Sequence, residues 1–164
     1  METPMLQTKN DLSQNVRKKV IDLLSARLVD AIDLRTQVKQ AHWAVRGPRF
    51  IGLHELFDAI GTRVLDHVDE IAERITALGG VPDGTVQNVA RQTSLPPYPT
   101  DIIDGMDHVE ALSTALASFG KGCRKAIDEA DELGDAGTAD LFTAISRVID
   151  KDLWFVEAHA QAKA

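Results

Sequence analysis

A single cysteine, Cys123, stands in 164 residues. One thiol forms no internal disulfide and no cysteine cage for zinc or an iron–sulfur cluster, which fits a reducing cytosol. No apolar run approaches the roughly 20 residues that a membrane span needs, and the opening METPMLQTKNDLSQ lacks a basic-then-apolar leader. The expectation is a soluble, cytoplasmic protein that does not contact membranes. Aromatic residues are scarce at 5 %, and strand-like alternation never extends beyond a few residues, which argues against an all-β or α/β class. Positive charge is in deficit, with 18 Lys and Arg against 25 Asp and Glu leaving −7 near neutral pH. That balance disfavours an extended phosphate-binding surface and suits metal cations. Walker A and Gly-x-Ser-x-Gly sequences are missing, and so is Glu-x-x-His, the ligand pair of a di-iron site inside one bundle.

What the sequence does hold is helical periodicity. Turn-formers cluster at Arg46-Gly47-Pro48, from Gly79 to Pro99 and from Gly134 to Gly137, leaving four long segments between them. Val16, Val20, Leu23, Leu24, Leu28, Ala31, Ile32 and Val38 mark a buried face in the first segment; Leu53, Phe57, Ile60, Val64, Val68, Ile71, Ile75 and Leu78 mark one in the second. The linker with Pro96, Pro97 and Pro99 has room for a short helix over Thr85 to Ala90, and Thr100 or Asp101 is placed to cap the third segment. Ile102, Met106, Val109, Leu112, Leu116, Phe119, Cys123 and Ala126 line that third helix, weakened by Gly105, Gly120 and Gly122, and the fourth runs from about Thr138 to Ala160 on Leu141, Ile145, Val148 and Phe155, with Trp154 beside them. Short outer connections with a long middle one predict an all-α, ferritin-like four-helix bundle whose crossover between helices two and three carries a short helix. The expected organisation is a short tail over 1–12, the bundle over 13–161 and a C-terminal end at 162–164.

The second helix carries more than a core stripe. At about 100° per residue, His54, Asp58, Asp69 and Glu73 fall within roughly 100° of one another, well away from the apolar stripe. Gly61, Thr62, Leu65 and Ala72 lie among them, small or apolar residues suited to the approach of another helix. One straight helix cannot close a site from all four, because the 15 residues from His54 to Asp69 span about 22 Å. The pairs His54 with Glu73 and Asp58 with Asp69 are nevertheless centred on the same point, between Arg63 and Val64. A two-fold axis there, crossing an antiparallel copy of the helix, sets His54 opposite Glu73 and Asp58 opposite Asp69, giving two identical sites across one isologous interface. His42 lies five residues before Gly47 and His54 seven after it, so the two sit at similar heights on adjacent antiparallel helices. Two imidazoles and three carboxylates form a hard donor set that suits Fe(II) and, less selectively, Mn(II), Co(II) or Zn(II). Singly, each residue reads as a solvated side chain or a core histidine; the shared centre and the interleaved small residues favour a site. His67 is expected at the surface, His108 and His159 have no evident partner, and Cys123 is expected in the core.

The residues Lys39-Gln-Ala-His42-Trp43, Arg46-Gly47, His54-Glu55, Asp58, Asp66-His67, Asp69, Ala72-Glu73-Arg74 and Leu78-Gly79-Gly80 resemble the Dps family of bacterial mini-ferritins, and Asp150 to Glu157 with Trp154-Phe155 extends the likeness. The resemblance implies a hollow dodecamer built from two-fold dimers, a homo-oligomer that oxidises Fe(II) with hydrogen peroxide, stores Fe(III) as mineral and protects against oxidative stress. It implies a di-iron site shared between two subunits, with His42, His54 and Asp58 from one and Asp69 and Glu73 from its mate. Trp43 resembles the family tryptophan that intercepts oxidising equivalents, its plainer role being packing. Asp135 and Asp140 are the candidates for the acidic lining of the family's three-fold iron pores.

DNA binding departs from the family pattern. Members that bind DNA carry several lysines on the N-terminal tail, whereas the first 14 residues here hold only Lys9, and Arg17-Lys18-Lys19 reads as a solvated face of the first helix. DNA binding and association with the nucleoid are therefore not favoured. The rival functions are a structural nucleoid protein with a secondary metal site and a protective shell for another divalent metal.

Overall fold

The computed structural model describes residues 5–162, which form five helices and, among the described residues, no strand. Residues 1–4 of the expected tail and 163–164 of the expected C-terminal end lie outside the described residues. In chain order the helices are α1 (Gln14–Ala44), α2 (Phe50–Ala77), α3 (Val86–Gln92), α4 (Gly105–Glu132) and α5 (Ala136–Gln161). α1 and α2 form one hairpin and α4 and α5 the other, with α1 packed on α4 and α2 on α5. The short α3 rides in the crossover against α1, so the architecture is the ferritin-like bundle that the spacing of turn-formers predicts.

The stripes read from periodicity form most of the core, but on α5 Phe142, Ile149 and Val156 are buried, each one position beyond the half-buried Leu141, Val148 and Phe155 of the stripe read there, and Leu34 on α1 joins them. Phe57, Phe119, Phe142, Leu24, Leu34, Leu53 and Leu112 are fully buried, each contributing about 1.5–3 kcal/mol of transfer free energy. Cys123 joins them, and burial pushes its thiol up to about 12, so it is a packing residue rather than a nucleophile. The crossover is fastened to α1 by polar groups. Buried Asp30 accepts hydrogen bonds from Ser94 N (2.7 Å) and Ser94 Oγ (2.9 Å) and pairs with Arg27, and Gln37 Nε2 donates to the Pro96 carbonyl at 3.0 Å.

Four expectations need correction. α4 is capped by Asp104, whose carboxylate accepts from Met106 N at 2.8 Å, and not by Thr100 or Asp101. Backbone bonds from Arg46 N to Ile103 O and from Gly105 N to Arg46 O hold the preceding residues extended along the end of α1, which delays the helix. Gly122 does more than weaken α4, because a Cβ there would collide with the Arg27 guanidinium; the glycine makes room for a cation on α1. Arg17 is not part of a solvated basic face: it is buried and donates to the Leu78 carbonyl at 2.9 Å, closing an orphan acceptor at the end of α2. His67 is buried as well, on the face of α2 whose Arg63 pairs with Asp152 (2.6 Å) and whose Arg74 pairs with Asp135 (2.8 Å) on α5.

Candidate metal centre

The reversal at Gly47, whose φ of +106° lies in the region that only glycine enters freely, turns α1 into α2 and brings His42 level with His54. The two rings stack at a centroid separation of 3.7 Å and 20° between planes. Each Nδ1 lies 2.8 Å from the other residue's backbone carbonyl oxygen. A carbonyl only accepts, so each Nδ1 carries the proton and each Nε2 keeps its lone pair for a ligand. The His42 carbonyl is available because it sits in the last turn of α1, and Arg46 N has turned instead to Ile103 O. Reciprocal hydrogen bonding thus fixes both tautomers and both ring orientations, as the outer partners of metal-binding imidazoles do elsewhere.

Asp58 follows His54 by one helical turn and is exposed. Its Oδ1 lies 2.6 Å from Lys39 Nζ. That hydrogen bond, followed by the ammonium charge, holds the Asp58 carboxyl below its ordinary range, with both imidazoles helping. Lys39 also stands over the Trp43 ring, 5.9 Å from its centroid. The Trp43 indole is 61 % exposed, so within one chain it is not a packing residue.

Asp69 and Glu73 lie on the same open face of α2 and meet no partner among the described residues. His42, His54 and Asp58 are therefore brought together, while Asp69 and Glu73 stay about 22 Å further along the helix. Among the described residues no three His, Cys, Asp or Glu side chains form a group that would hold a metal ion. The candidate ligands of one chain thus fall into two halves about 22 Å apart. Leu65, between the halves, is 45 % exposed, an apolar residue without cover on a face lined with acids. Gly61 serves a different contact from the one expected: its missing side chain admits Lys39 of the same chain, since a Cβ would stand 3.2 Å from Lys39 Cδ.

Lys39 is the residue whose role at the site the sequence reading missed. The hairpin register that matches His42 with His54 also matches Lys39 with Asp58, so the signal was present in the spacing. Asp135 is corrected in the other direction. Its carboxylate is buried, caps α5 through Thr138 N (3.1 Å) and Thr138 Oγ1 (2.6 Å) and pairs with Arg74, which leaves nothing to line a pore; Asp140 is exposed. His159 Nδ1 lies 2.9 Å from the Phe155 carbonyl on its own helix, and His108 has Tyr98 as a partner.

The sequence matches the ferritin-like domain family over residues 21–163. It is 49 % identical over 158 residues to the DNA protection during starvation protein of Agrobacterium fabrum, covering 96 % of this chain and 98 % of that one. To the protein of the same name from Mycolicibacterium smegmatis it is 34 % identical over 151 residues, 92 % of this chain and 82 % of the relative. Among solved structures, DpsC from Streptomyces coelicolor superposes with a TM-score of 0.94 at 30 % identity, covering 100 % of this chain and 96 % of that one.

Proposed function

The chain belongs to the Dps family of ferritin-like proteins, and from that premise we propose that it is a cytoplasmic ferroxidase and iron-storage subunit acting against oxidative stress. Fe(II) is its substrate and hydrogen peroxide its oxidant. The observation that carries the reading is the reciprocal His42–His54 latch, which aims two unprotonated Nε2 atoms at an open face beside Asp58. An antiparallel copy of α2 across a two-fold axis near Val64 brings Asp69 and Glu73 of the partner subunit to that face, completing two sites per dimer. Leu65, Thr62 and Ala72 become contact residues between the two chains, and six such dimers close a dodecameric shell.

Two Fe(II) ions give up one electron each to one peroxide; with two water molecules the products are two FeOOH units and four protons. The carboxylates stabilise the higher charge of Fe(III), and the imidazoles hold the Fe(II) that arrives first. A two-electron reduction of peroxide releases no hydroxyl radical. Trp43, exposed next to His42, takes up oxidising equivalents that escape this route, and Asp140 belongs to the entry path for iron.

DNA protection by charge contact is not favoured, because the only lysine of the first 14 residues is Lys9 and Arg17 is buried in the fold. Linear duplex DNA is expected to remain unshifted by the protein near neutral pH and physiological salt. A salt-sensitive complex lost on deletion of residues 1–14 would replace the reading with a nucleoid protein.

The decisive experiment uses complementation. Asp58→Asn and Asp69→Asn shells each lack one carboxylate at every site and oxidise Fe(II) poorly. In a mixed dimer one site carries both substitutions and the other carries neither. Co-assembly therefore restores up to about half of wild-type activity per mixed interface if the sites are independent. No recovery in verified mixed dimers sinks the shared site.

A further inference from the structure

Outside the metal centre, one pair of side chains stands in a relation that iron binding does not use. Tyr98, the only tyrosine of the chain, places its hydroxyl 2.6 Å from His108 Nδ1, with the two rings nearly parallel at 13°. His108 is 1 % exposed, and its Nε2 has no hydrogen-bond partner among the described residues. Phenol is the stronger acid and imidazole the stronger base of the two, so the O–H donates and Nδ1 accepts. Burial holds His108 in its neutral form against the pull of Asp107 and Asp104, which keeps Nδ1 able to take a proton, and burial keeps the phenol protonated.

We propose that Tyr98 and His108 form a redox-active pair, in which Tyr98 gives one electron to oxidants made when Fe(II) meets peroxide while its phenolic proton passes to His108 Nδ1. The reading of Fe(II) and peroxide as substrates enters only as the source of the oxidant. If one Fe(II) reacts with peroxide alone, the products are Fe(III), hydroxide and hydroxyl radical. The radical gains one electron and becomes hydroxide; Tyr98 becomes a neutral phenoxyl and His108 an imidazolium. A further Fe(II) returns the electron, becoming Fe(III), while His108 returns the proton to the phenoxyl oxygen. Without a base in contact, oxidation would leave a charged phenol in a half-buried site; the preformed hydrogen bond lets proton and electron leave together.

The position suits the task. The crossover touches α1 at Gln37, through Pro96, and at Arg46, through Ile103 and Gly105. Those two contacts bracket His42 and Trp43, which follow Gln37 by about 7.5 and 9 Å along the helix. Tyr98 also lines a cleft of about 320 Å³ with Pro97, Ile102 and Ala111, which leaves its ring reachable by small oxidants.

The test needs no iron in its first arm. Azide radicals generated by pulse radiolysis are applied to the assembled, iron-free protein, and the phenoxyl is followed by absorption and by electron paramagnetic resonance. With one tyrosine present, any phenoxyl belongs to Tyr98. Wild type should form it, and Tyr98→Phe should not. His108→Gln keeps a hydrogen-bond acceptor but cannot take a proton, so phenoxyl growth should slow roughly 100-fold, the worth of a positioned base. An unchanged rate in His108→Gln, or no phenoxyl in wild type, overturns the pair, and the wild-type measurement does not depend on any variant folding. In the second arm Fe(II) and peroxide replace azide while Fe(III) formation is recorded. With Fe(II) kept below one ion per proposed site, so that each reacts with peroxide alone, iron oxidation without phenoxyl overturns the proposal; phenoxyl in the first arm with no protein-dependent iron oxidation in the second leaves the pair standing and rejects the ferroxidase reading instead.

Discussion

Along α2, the face turned to α5 holds Arg63, His67 and Arg74, whereas the face turned away holds His54, Asp58, Asp69 and Glu73. On the first, the arginines meet an acid of the same chain: Arg63 reaches Asp152, which is 1 % exposed, and Arg74 reaches buried Asp135. On the second, among the described residues, the carboxylates meet Lys39 or no partner, and the imidazoles spend one nitrogen on a backbone carbonyl and leave the other without one. The same helix thus uses charge for two purposes. Paired and buried, it fixes how two helices sit; exposed, it is open to the cation and the second chain of the proposed function.

The largest effects should separate these faces in opposite senses. His54→Ala or Asp58→Ala should slow peroxide-driven Fe(II) oxidation by at least roughly 10–100-fold while the melting temperature hardly moves. Arg63→Ala should do the reverse. It strands Asp152 as a buried, unpartnered charge, which costs about 3–5 kcal/mol and lowers the melting temperature by roughly 6–20 °C at this size. Wild-type thermal stability in Arg63→Ala, or collapse of helical content in Asp58→Ala, would break the distinction between the faces.

Acid should divide them next. Burial alone would raise the Asp135 carboxyl, but hydrogen bonds from Thr138 and Arg74 outweigh it and hold the group below its ordinary value of 3.8. A depressed folded-state pKa contributes stability above the unfolded value that is lost as pH falls through the folded one. Wild-type stability should therefore drop below about pH 4, and Asp135→Asn, less stable at neutral pH, should show a flatter acid limb. Asp58 is depressed by Lys39 in the same direction but is exposed. About 1 M salt, with a Debye length near 3 Å, should erase most of its shift and leave that of Asp135, as carboxyl titration by NMR would read.

A smaller effect concerns Trp43. Trp43→Phe should preserve Fe(II) binding and oxidation rate but raise the yield of spin-trapped hydroxyl radical. An unchanged yield would leave the exposed indole to contacts with a neighbouring subunit.

The apolar stripe of α2 was legible in the sequence because burial repeats with the helix, and of its positions from Leu53 to Leu78 all but half-buried Val68 are buried. The register of His42 against His54 was legible because a short turn leaves little freedom between two antiparallel helices. What escaped reading depended on groups distant in sequence. Arg63 and His67 look like surface residues until α5 arrives with Asp152, and Arg17 looks solvated until the end of α2 presents the Leu78 carbonyl. Asp104 outranks Asp101 as a cap because Arg46, 58 residues earlier, holds the intervening chain extended. Tyr98 meets His108 only because the crossover folds back on α4, and irregular backbone has no period from which to infer such a contact.

Lys39 offers the finest test, because it is the one cation on the open face of the hairpin seen to engage a carboxylate proposed to bind iron. Its bond to Asp58 is short at 2.6 Å, yet the Asp58 side chain is 56 % exposed, so solvent screening leaves the pair little net worth. Fe(II) has to displace the ammonium to use Asp58, and the binding free energy is reduced by whatever the pair is worth. Lys39→Met keeps most of the stem that covers Gly61 and removes the charge. It should tighten Fe(II) binding at that position by up to about fivefold, with little change in melting temperature. The gain should shrink in high salt, where the wild-type pair is already screened. Weaker Fe(II) binding in Lys39→Met would mean that the ammonium assists at the centre, orienting Asp58 for the metal, and the contrast between a satisfied face and a waiting one would then need Lys39 moved to the satisfied side.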